Sequence, residues 1–127
     1  MDDKKTILII DDSNTNVVLL EAILTTKGFK AVTALTVKEA MSFLQKNKPD
    51  LILLDLLMPE ISGFDFLEKM RSMEELNDIP VIVVSALTDE MNKNKTKNLG
   101  AVEFIEKPVN INGLVDIVQN TLHTYET

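Results

Sequence analysis

Several features that would direct a function are missing from this sequence. It has no cysteine, which excludes a disulfide framework, a thiolate metal site and a cysteine nucleophile, and which fits a reducing compartment. No Pro/Gly-rich linker, low-complexity stretch or fixed-period repeat interrupts the chain. Residues 1–6 lack the apolar segment of a signal peptide, and every apolar run is far shorter than a membrane span. We therefore expect a cytoplasmic protein that has no membrane partner.

The net charge of the chain further limits the kinds of molecule that it can bind. The formal net charge is −7, so phosphate backbones repel the chain and nucleic acid is not an expected partner. A length of 127 residues with 45% hydrophobic and 26% charged residues is typical of one globular domain. We expect a single domain over residues 1–127, with its core at about 5–122.

A short apolar run recurs five times along the sequence, and its length favours strands over helices. The runs are 7–10, 31–34, 51–54, 81–84 and 102–105. The first, third and fourth are apolar at every position, which is typical of parallel strands that are covered on both faces. The second and fifth contain Thr33 and Glu103, so we expect these two strands at the edges of the sheet.

The segments between these runs carry helix signals. Ser13 is a predicted cap for a helix over about 14–27, which Gly28 ends, and Thr36 with Glu39 forms a capping-box pattern for a second helix. Gly63 leads into a third helix, and a fifth starts at about Asn112. The expected inward residues are Val17, Leu20 and Leu24, then Ala40 and Leu44, then Phe64, Leu67 and Met70, and finally Leu114, Ile117, Val118 and Leu122.

The fourth predicted helix, about 89–99, differs from the others because Met91 and Leu99 are its only large apolar residues. Few apolar contacts would then hold it in place. It also carries Lys93, Lys95 and Lys97, so an ordinary solvated helix and a mobile signalling helix remain equally open at this stage.

Strict alternation of strand and helix predicts an α/β doubly wound (βα)5 fold of the flavodoxin-like kind, with helices on both faces of a parallel sheet. Placing the less apolar strands at the edges favours the strand order 2-1-3-4-5. Other orders remain open on periodicity alone.

Polar residues follow several strands at their carboxyl ends, which is where ligands bind in such a sheet. They are Asp11 and Asp12, Asp55, Ser85 and Ala86, and Lys107 and Pro108. Singly, an Asp after a strand is often a helix cap and a Lys is usually a solvated charge. Together they would cluster three carboxylates beside one ammonium group, and one divalent cation would cancel the excess negative charge. Hard oxygen ligands suit Mg²⁺ or Mn²⁺. Asp50 precedes the third strand, so it should lie at the opposite end of the sheet.

With these residues in view, the sequence resembles the receiver domain of bacterial response regulators, the class that includes the chemotaxis response regulator. The resemblance covers about residues 5–122. The matching motifs, in order along the chain, are Ile9-Ile10-Asp11-Asp12, Leu53-Leu54-Asp55-Leu56-Leu57-Met58-Pro59 with Gly63, Val84-Ser85-Ala86, and Lys107-Pro108.

The resemblance implies that Asp55 is the phosphoacceptor, which takes a phosphoryl group from a partner phosphohistidine to give an acyl phosphate. It also implies that Asp12, Asp55 and the backbone carbonyl of Leu57 hold Mg²⁺, with Asp11 assisting. The chain would catalyse only its own phosphorylation and dephosphorylation, so it would not be an enzyme in the usual sense.

The resemblance implies further roles around the phosphoryl group. Lys107 and Ser85 would bind phosphoryl oxygens, Ala86 would leave the approach open, and the bond between Lys107 and Pro108 would be cis. Phe104 matches the switch position, whose alternative role is plain packing. Movement of Ser85 and Phe104 would repack the face made by the fourth helix, fifth strand and fifth helix.

The implied phosphodonor is a histidine kinase or a histidine phosphotransfer protein. His123 is the only histidine of the chain and belongs to the last turn of the fifth helix, which favours a surface residue over a catalytic one. A downstream protein target of unknown identity is implied, and the resemblance allows a homodimer that forms on phosphorylation. The few residues after Leu122 leave open a stand-alone protein, which Met1 favours slightly, or a domain of a longer regulator or hybrid kinase.

Three other functions compete with this interpretation. A haloacid-dehalogenase-type phosphatase would need a carboxylate where Leu57 stands. A flavodoxin-like cofactor binder would place a phosphate near Ser13-Asn14-Thr15, where Asp11 and Asp12 would repel it. A phosphorylation-independent interaction domain would not need the motif residues, yet all of them are present.

Overall fold

Strands and helices alternate along the chain without exception. The protein is described by a computed structural model over residues 4–125, so the predicted domain limits at 1 and 127 lie outside the described residues. The elements are β1 (Thr6–Ile10), α1 (Asn14–Thr26), β2 (Lys30–Ala34), α2 (Val37–Leu44), β3 (Leu51–Leu54), α3 (Gly63–Arg71), β4 (Val81–Ser85), α4 (Glu90–Asn98), β5 (Glu103–Glu106) and α5 (Ile111–Thr124). No helix among these described elements combines the length and the apolar character that crossing a bilayer requires.

The strands form one parallel sheet in the order β2-β1-β3-β4-β5, which confirms the predicted fold and strand order. The central strands β1, β3 and β4 are buried, whereas the edge strands β2 and β5 keep exposed residues. Side chains of α2 and α3 cover one face of the sheet, and side chains of α1 and α5 cover the other. The neighbours β1 and β3 therefore mark the point where the chain reverses its direction of winding, where ligands bind in such sheets.

Caps place the helices close to the predicted positions. The Ser13 hydroxyl accepts from the Asn16 amide and Gly28 has a φ of 92°, as the sequence predicts for the ends of α1. Thr36 Oγ1 accepts from the Glu39 amide at 3.0 Å. Glu39 itself accepts from the amide of Leu35 rather than from that of Thr36, so the reciprocal half of the capping box is shifted by one residue.

Several predicted boundaries differ from the structure by one residue, and two of these differences have a visible cause. β5 covers Glu103–Glu106 rather than 102–105, because the register pairs Ser85 with Glu106 and extends the ladder over a solvent-facing residue. α5 starts at Ile111 rather than near Asn112, because the Asn110 side chain accepts from the Gly113 amide at 2.8 Å and caps the helix earlier.

The inward faces agree with the predicted stripes on α1 and α2 and depart from them on α3 and α5, where Ile117 is only partly buried and Val115 is buried instead. On α3, Phe66 is fully buried, whereas Phe64 is only partly buried and its ring lies 4.3 Å from Lys95 Nζ of α4. On α4, Thr96 is the single buried residue and Met91 is 78% exposed. The expected scarcity of apolar contacts on the fourth helix is thus confirmed.

Candidate functional site

Backbone hydrogen bonds of the sheet continue one residue past the ends of β1 and β3, and they hold the backbone of Asp11 and Asp55 in place. The Asp11 amide donates to the carbonyl of Ala34 at 3.1 Å, and the Asp55 amide donates to the carbonyl of Ile10 at 2.9 Å. Both carboxylates therefore lie at the carboxyl ends of adjacent strands, β1 and β3.

The structure brings the carboxylates of Asp11, Asp12 and Asp55 together at this end of the sheet. One carboxylate oxygen from each lies within 4.8 Å of the others. Asp11 and Asp55 are buried, whereas Asp12 is exposed. Asp50 lies at the other end, where its carboxylate accepts from the Thr6 amide at 2.7 Å, as the sequence predicts for a carboxylate outside the cluster.

Lys107 bridges the two buried carboxylates. Its Nζ lies 2.7 Å from Asp11 Oδ2 and 3.1 Å from Asp55 Oδ2. Burial lowers the pKa of Lys107, but the hydrogen bond to Asp11 and the charge of Asp55 outweigh it, so the pKa is raised overall. Lys107 therefore stays an ammonium group that neutralises part of the cluster.

The surroundings of Asp55 disfavour its charged form. Burial raises its pKa, and Asp11 adds to the rise, while Lys107 and the Leu57 amide oppose it without cancelling it. The Leu57 amide donates to Asp55 Oδ1 at 3.3 Å. An ionised Asp55 is thus held in a place that disfavours its charge, and a cation beside it would relieve that penalty.

Gly63 brings the start of α3 against the backbone at Asp55. Its amide donates to the carbonyl of Leu56 at 3.0 Å. A Cβ at this position would overlap the carbonyl oxygen of Asp55 and would lie 2.7 Å from Cα of Leu56. The loop after β3 therefore requires glycine here.

Ser85 is the last residue of β4 and is fully buried, while the next residue, Ala86, is exposed. Its hydroxyl oxygen accepts from the Leu87 amide at 3.2 Å. The carbonyl of Ser85 accepts from the Lys107 amide at 3.0 Å, which ties β4 to the residue that bridges the carboxylates. The peptide bond between Lys107 and Pro108 is cis.

A cavity of about 460 Å³ opens beside Lys107 between α1 and the loop after β5. Its lining residues are Asn16, Leu19, Leu20, Ala86, Lys107, Pro108 and Val109. Sequence reasoning missed Asn16, whose Nδ2 donates to Asp11 Oδ2 at 3.5 Å. Nothing in the local sequence marks Asn16, because the contact depends on the direction in which α1 leaves the edge of the sheet.

Phe104 and His123 were also singled out from the sequence. Phe104 of β5 is partly buried, and the ammonium of Lys93 lies 5.7 Å from the centre of its ring. His123 is exposed near the end of α5, as expected for a surface residue.

The donor set suits a hard divalent cation. The cluster offers carboxylate oxygens at short mutual distance, with one ammonium group in contact with two of the three acids. Mg²⁺ is commonly held by a few carboxylates together with water. Asp11, Asp12 and Asp55 therefore fit a site for this ion.

Many known proteins are similar to this chain in sequence and in fold. The family model described as the response regulator receiver domain matches residues 7–119. The polar-differentiation response regulator DivK of Brucella ovis is 27% identical over 118 residues, which cover 93% of this chain and 96% of that protein.

Solved structures agree with this match. The signal receiver domain of a signal transduction histidine kinase from Syntrophus aciditrophicus is 33% identical, covers 96% of this chain and 92% of its own, and has a TM-score of 0.89. A CheY-like response regulator receiver domain protein from Methanospirillum hungatei is 27% identical, covers 98% of both chains and has a TM-score of 0.91.

Proposed function

We propose, from the premise that this chain belongs to the response regulator receiver domain family, that it accepts a phosphoryl group on Asp55 in a Mg²⁺-dependent reaction. Receiver domains are signalling domains of two-component systems rather than conventional enzymes, and they work with a phosphodonor kinase and a downstream target. The observation that carries the proposal is the meeting of the carboxylates of Asp11, Asp12 and Asp55, of which the first and the last contact Lys107.

The group transfer balances without any further reagent. A carboxylate oxygen of Asp55 forms a bond to phosphorus as the P–N bond of a partner phosphohistidine breaks. The electron pair of that bond stays on the donor imidazole, which takes up a proton from the surrounding water. The product on this chain is an acyl phosphate, and the donor is a histidine kinase or a histidine phosphotransfer protein.

The neighbours of Asp55 have separate tasks in this reaction. Mg²⁺, held by Asp11, Asp12, Asp55 and the carbonyl of Leu57, would neutralise charge on the phosphoryl oxygens. Lys107 pairs with one phosphoryl oxygen through an ammonium that already lies 3.1 Å from Asp55. The hydroxyl hydrogen of Ser85 binds another oxygen, and the small side chain of Ala86 leaves the approach open.

Phosphorylation is proposed to act on the face made by α4, β5 and α5. Ser85 and Phe104 are the residues that would change position, and a downstream protein would read the repacked face. A homodimer that forms on phosphorylation is part of the same proposal. So are a single receiver domain over residues 1–127 and a cytoplasmic location.

Phosphoramidate is the sharpest probe because its P–N bond has the chemistry of a phosphohistidine. With Mg²⁺ present, we expect intact-mass spectrometry to show a gain of one phosphoryl group, and chelation of the metal to abolish it. Asp55→Asn should not gain the group. Asp50→Asn, which makes the same change of charge at the opposite edge of the sheet, should be labelled like the unaltered chain.

Two outcomes would contradict the proposal. Labelling that persists in Asp55→Asn would place the acceptor elsewhere. No labelling of the unaltered chain at any Mg²⁺ concentration would favour an interaction domain that works without phosphorylation.

A further inference from the structure

The two ends of α4 are held in different ways. The C-terminal end is tied into the body of the domain, because Leu99 packs against the core and the Ala101 amide donates to the carbonyl of Thr96 at 3.0 Å. Thr96 is the only buried residue of the helix. The N-terminal half has no buried residue, and its Met91 is almost fully in solvent.

Arg71, at the end of α3, secures the turn that follows α4. Its guanidinium donates to the carbonyls of Asn77, Ile79 and Gly100, at 2.5, 3.4 and 3.3 Å respectively. Gly100 has a φ of 96°, and a Cβ there would lie 2.5 Å from Arg71 Nε. The turn is thus fixed by a guanidinium that reaches three backbone carbonyls, and its left-handed backbone favours glycine.

Lys93 joins the N-terminal half of α4 to β5 through two contacts. Its ammonium lies 2.6 Å from Glu106 Oε1 of β5 and also lies over the ring of Phe104. The side chains of Lys93 and Glu106 are 31% and 55% exposed. Ion pairs this open to water are weak and are screened by salt, so the contact can be broken easily.

Glu106 also stands beside the phosphoacceptor machinery. It precedes Lys107 in the chain and is the register partner of Ser85 across β4 and β5. A rearrangement of Ser85 or Lys107 would therefore move the backbone that carries the carboxylate paired with Lys93.

We propose that Lys93 is a latch that holds the N-terminal half of α4 on β5, and that this half can move off the sheet while the turn at Gly100, which Arg71 holds in place, stays fixed. Phosphorylation of Asp55 opens this latch through Glu106, a step that rests on the proposed function. Lys93 is a positioning residue in this scheme, since it touches neither Asp55 nor its carboxylate neighbours among the contacts of the described residues.

Amide hydrogen exchange on the unphosphorylated protein, with no phosphodonor present, tests the latch directly. In Lys93→Gln we expect the amides of Asn94 and Lys95 to exchange about two- to fivefold faster, the range that loss of an exposed ion pair gives. The amides of Gly100 and Ala101 should be unchanged. Lys93→Arg should restore slow exchange, because arginine keeps both the charge pair and the contact with an aromatic ring.

Lys97→Gln is the matched control, because it removes the same charge from the same helix and no residue between 4 and 125 forms an ion pair with Lys97. Sodium chloride should speed exchange at Asn94 in the unaltered chain and have less effect in Lys93→Gln. Equal exchange in Lys93→Gln and Lys97→Gln would overturn the latch. Faster exchange at Gly100 to the same extent as at Asn94 would show that the C-terminal end of α4 does not stay fixed, which would overturn the proposed local opening.

The coupling to Asp55 has its own readout. If phosphorylation opens the latch, the amide of Asn94 must exchange faster in the phosphorylated chain. In Lys93→Gln, where the latch is already open, labelling with phosphoramidate and Mg²⁺ should change exchange at Asn94 less than it does in Lys97→Gln. Equal changes in the two variants would overturn the coupling. Failure of the proposed function would appear differently, as no labelling of any variant, while the exchange experiment would still decide the latch.

Discussion

Gly63 is the residue on which the backbone near Asp55 depends most directly. Any side chain there overlaps the carbonyl oxygen of Asp55 and crowds Cα of Leu56, and both are backbone atoms that cannot turn aside. We expect Gly63→Ala to lower the free energy of unfolding by about 2–3 kcal/mol and to slow phosphorylation of Asp55. Urea denaturation and phosphoramidate labelling measure the two effects.

Gly113→Ala is the control for this substitution. Its Cβ would meet only the side chain of Asn110, at 3.3 Å from Oδ1, inside a helix where alanine is favoured over glycine. We expect little loss of stability and normal labelling. A Gly63→Ala protein as stable as Gly113→Ala would show that the loop after β3 can move away from α3.

Glu60 is the one non-glycine residue with positive φ between residues 4 and 125, at 66°. Left-handed backbone costs a side-chain-bearing residue about 1–2 kcal/mol, and asparagine or glycine tolerates it better. Glu60→Gly should therefore raise the free energy of unfolding by about 0.5–1 kcal/mol. Glu60→Gln removes the charge but keeps the strain, so it should not raise stability, and thermal unfolding of the two variants separates the causes.

In the metal-free protein, the negative charge of Asp55 lowers the free energy of unfolding. Burial and the charge of Asp11 raise its pKa above the ordinary value of 3.8. The folded state then holds this proton more tightly than the unfolded state does. The free energy of unfolding should fall as pH rises from the ordinary pKa through the raised one, and the penalty is complete above it.

Asp55→Asn removes that penalty. In chelator and at neutral pH we expect this variant to melt a few degrees above the unaltered chain, and we expect the difference to shrink toward zero below pH 3.8. Calorimetry across pH measures it, with Asp50→Asn as the control for loss of a carboxylate. A melting temperature of Asp55→Asn below that of the unaltered chain at neutral pH would mean that the pairing with Lys107 outweighs burial.

Caps on different elements should have different consequences. The Thr36 hydroxyl caps α2, which buries Val37, Ala40 and Leu44 in the core. Asp89 caps α4 through the amide and side chain of Asn92, on a helix that buries a single residue. Thr36→Ala should lower the global free energy of unfolding by about 1 kcal/mol.

Asp89→Ala should act locally instead. Because α4 contributes little to the core, we expect faster amide exchange along α4 and a smaller change in global unfolding than Thr36→Ala gives. Hydrogen exchange and urea denaturation on both variants make the comparison. Equal global losses would show that α4 unfolds only together with the rest of the domain.

The positions of the strands could be predicted from the sequence, whereas the inward side of α3 and the start of α5 could not. β1, β3 and β4 could be located because all of their apolar positions are covered. On α3 the prediction followed the spacing of Phe64 and Leu67, but the buried stripe is the one that Phe66 shares with Leu67. Phe64 is about 200° from Phe66 around the helix, and its ring contacts Lys95 of α4. The start of α5 depended on which asparagine side chain turns back onto the backbone.

The candidate site was predictable for a related reason. The order of a parallel sheet determines which strand ends are neighbours, so Asp11, Asp55 and Lys107 could be expected to meet. Contacts between a helix and the sheet carry no such signal. The hydrogen bond from Asn16 to Asp11 and the pairing of Lys93 with Glu106 depend on helix placement to within an ångström or two.

For the whole molecule, a bound divalent ion should act as a stabiliser. Ligands that bind only the folded state raise the free energy of unfolding by about 2.7 kcal/mol at 100 times their dissociation constant. We expect MgCl₂ to raise the melting temperature by several degrees over NaCl of equal ionic strength. Asp12→Asn, which alters an exposed side chain, should lose this gain, while Asp50→Asn keeps it.

The opposite result is equally informative. Equal responses of Asp12→Asn and the unaltered chain would mean that the exposed carboxylate does not hold the ion. A response to NaCl as large as that to MgCl₂ would reduce the effect to general screening of a chain of net charge −7.

The hydroxyl of Ser85 is fully enclosed, and its oxygen already accepts the amide hydrogen of Leu87. Its own hydrogen remains available to a second acceptor, so one hydroxyl group can join a newly arrived anion to a backbone turn. A pull on that hydrogen would then be felt by the main chain just before α4 starts at Glu90. A phosphoryl oxygen bound by this hydroxyl, as proposed, would stand one hydroxyl group away from the turn that leads into α4.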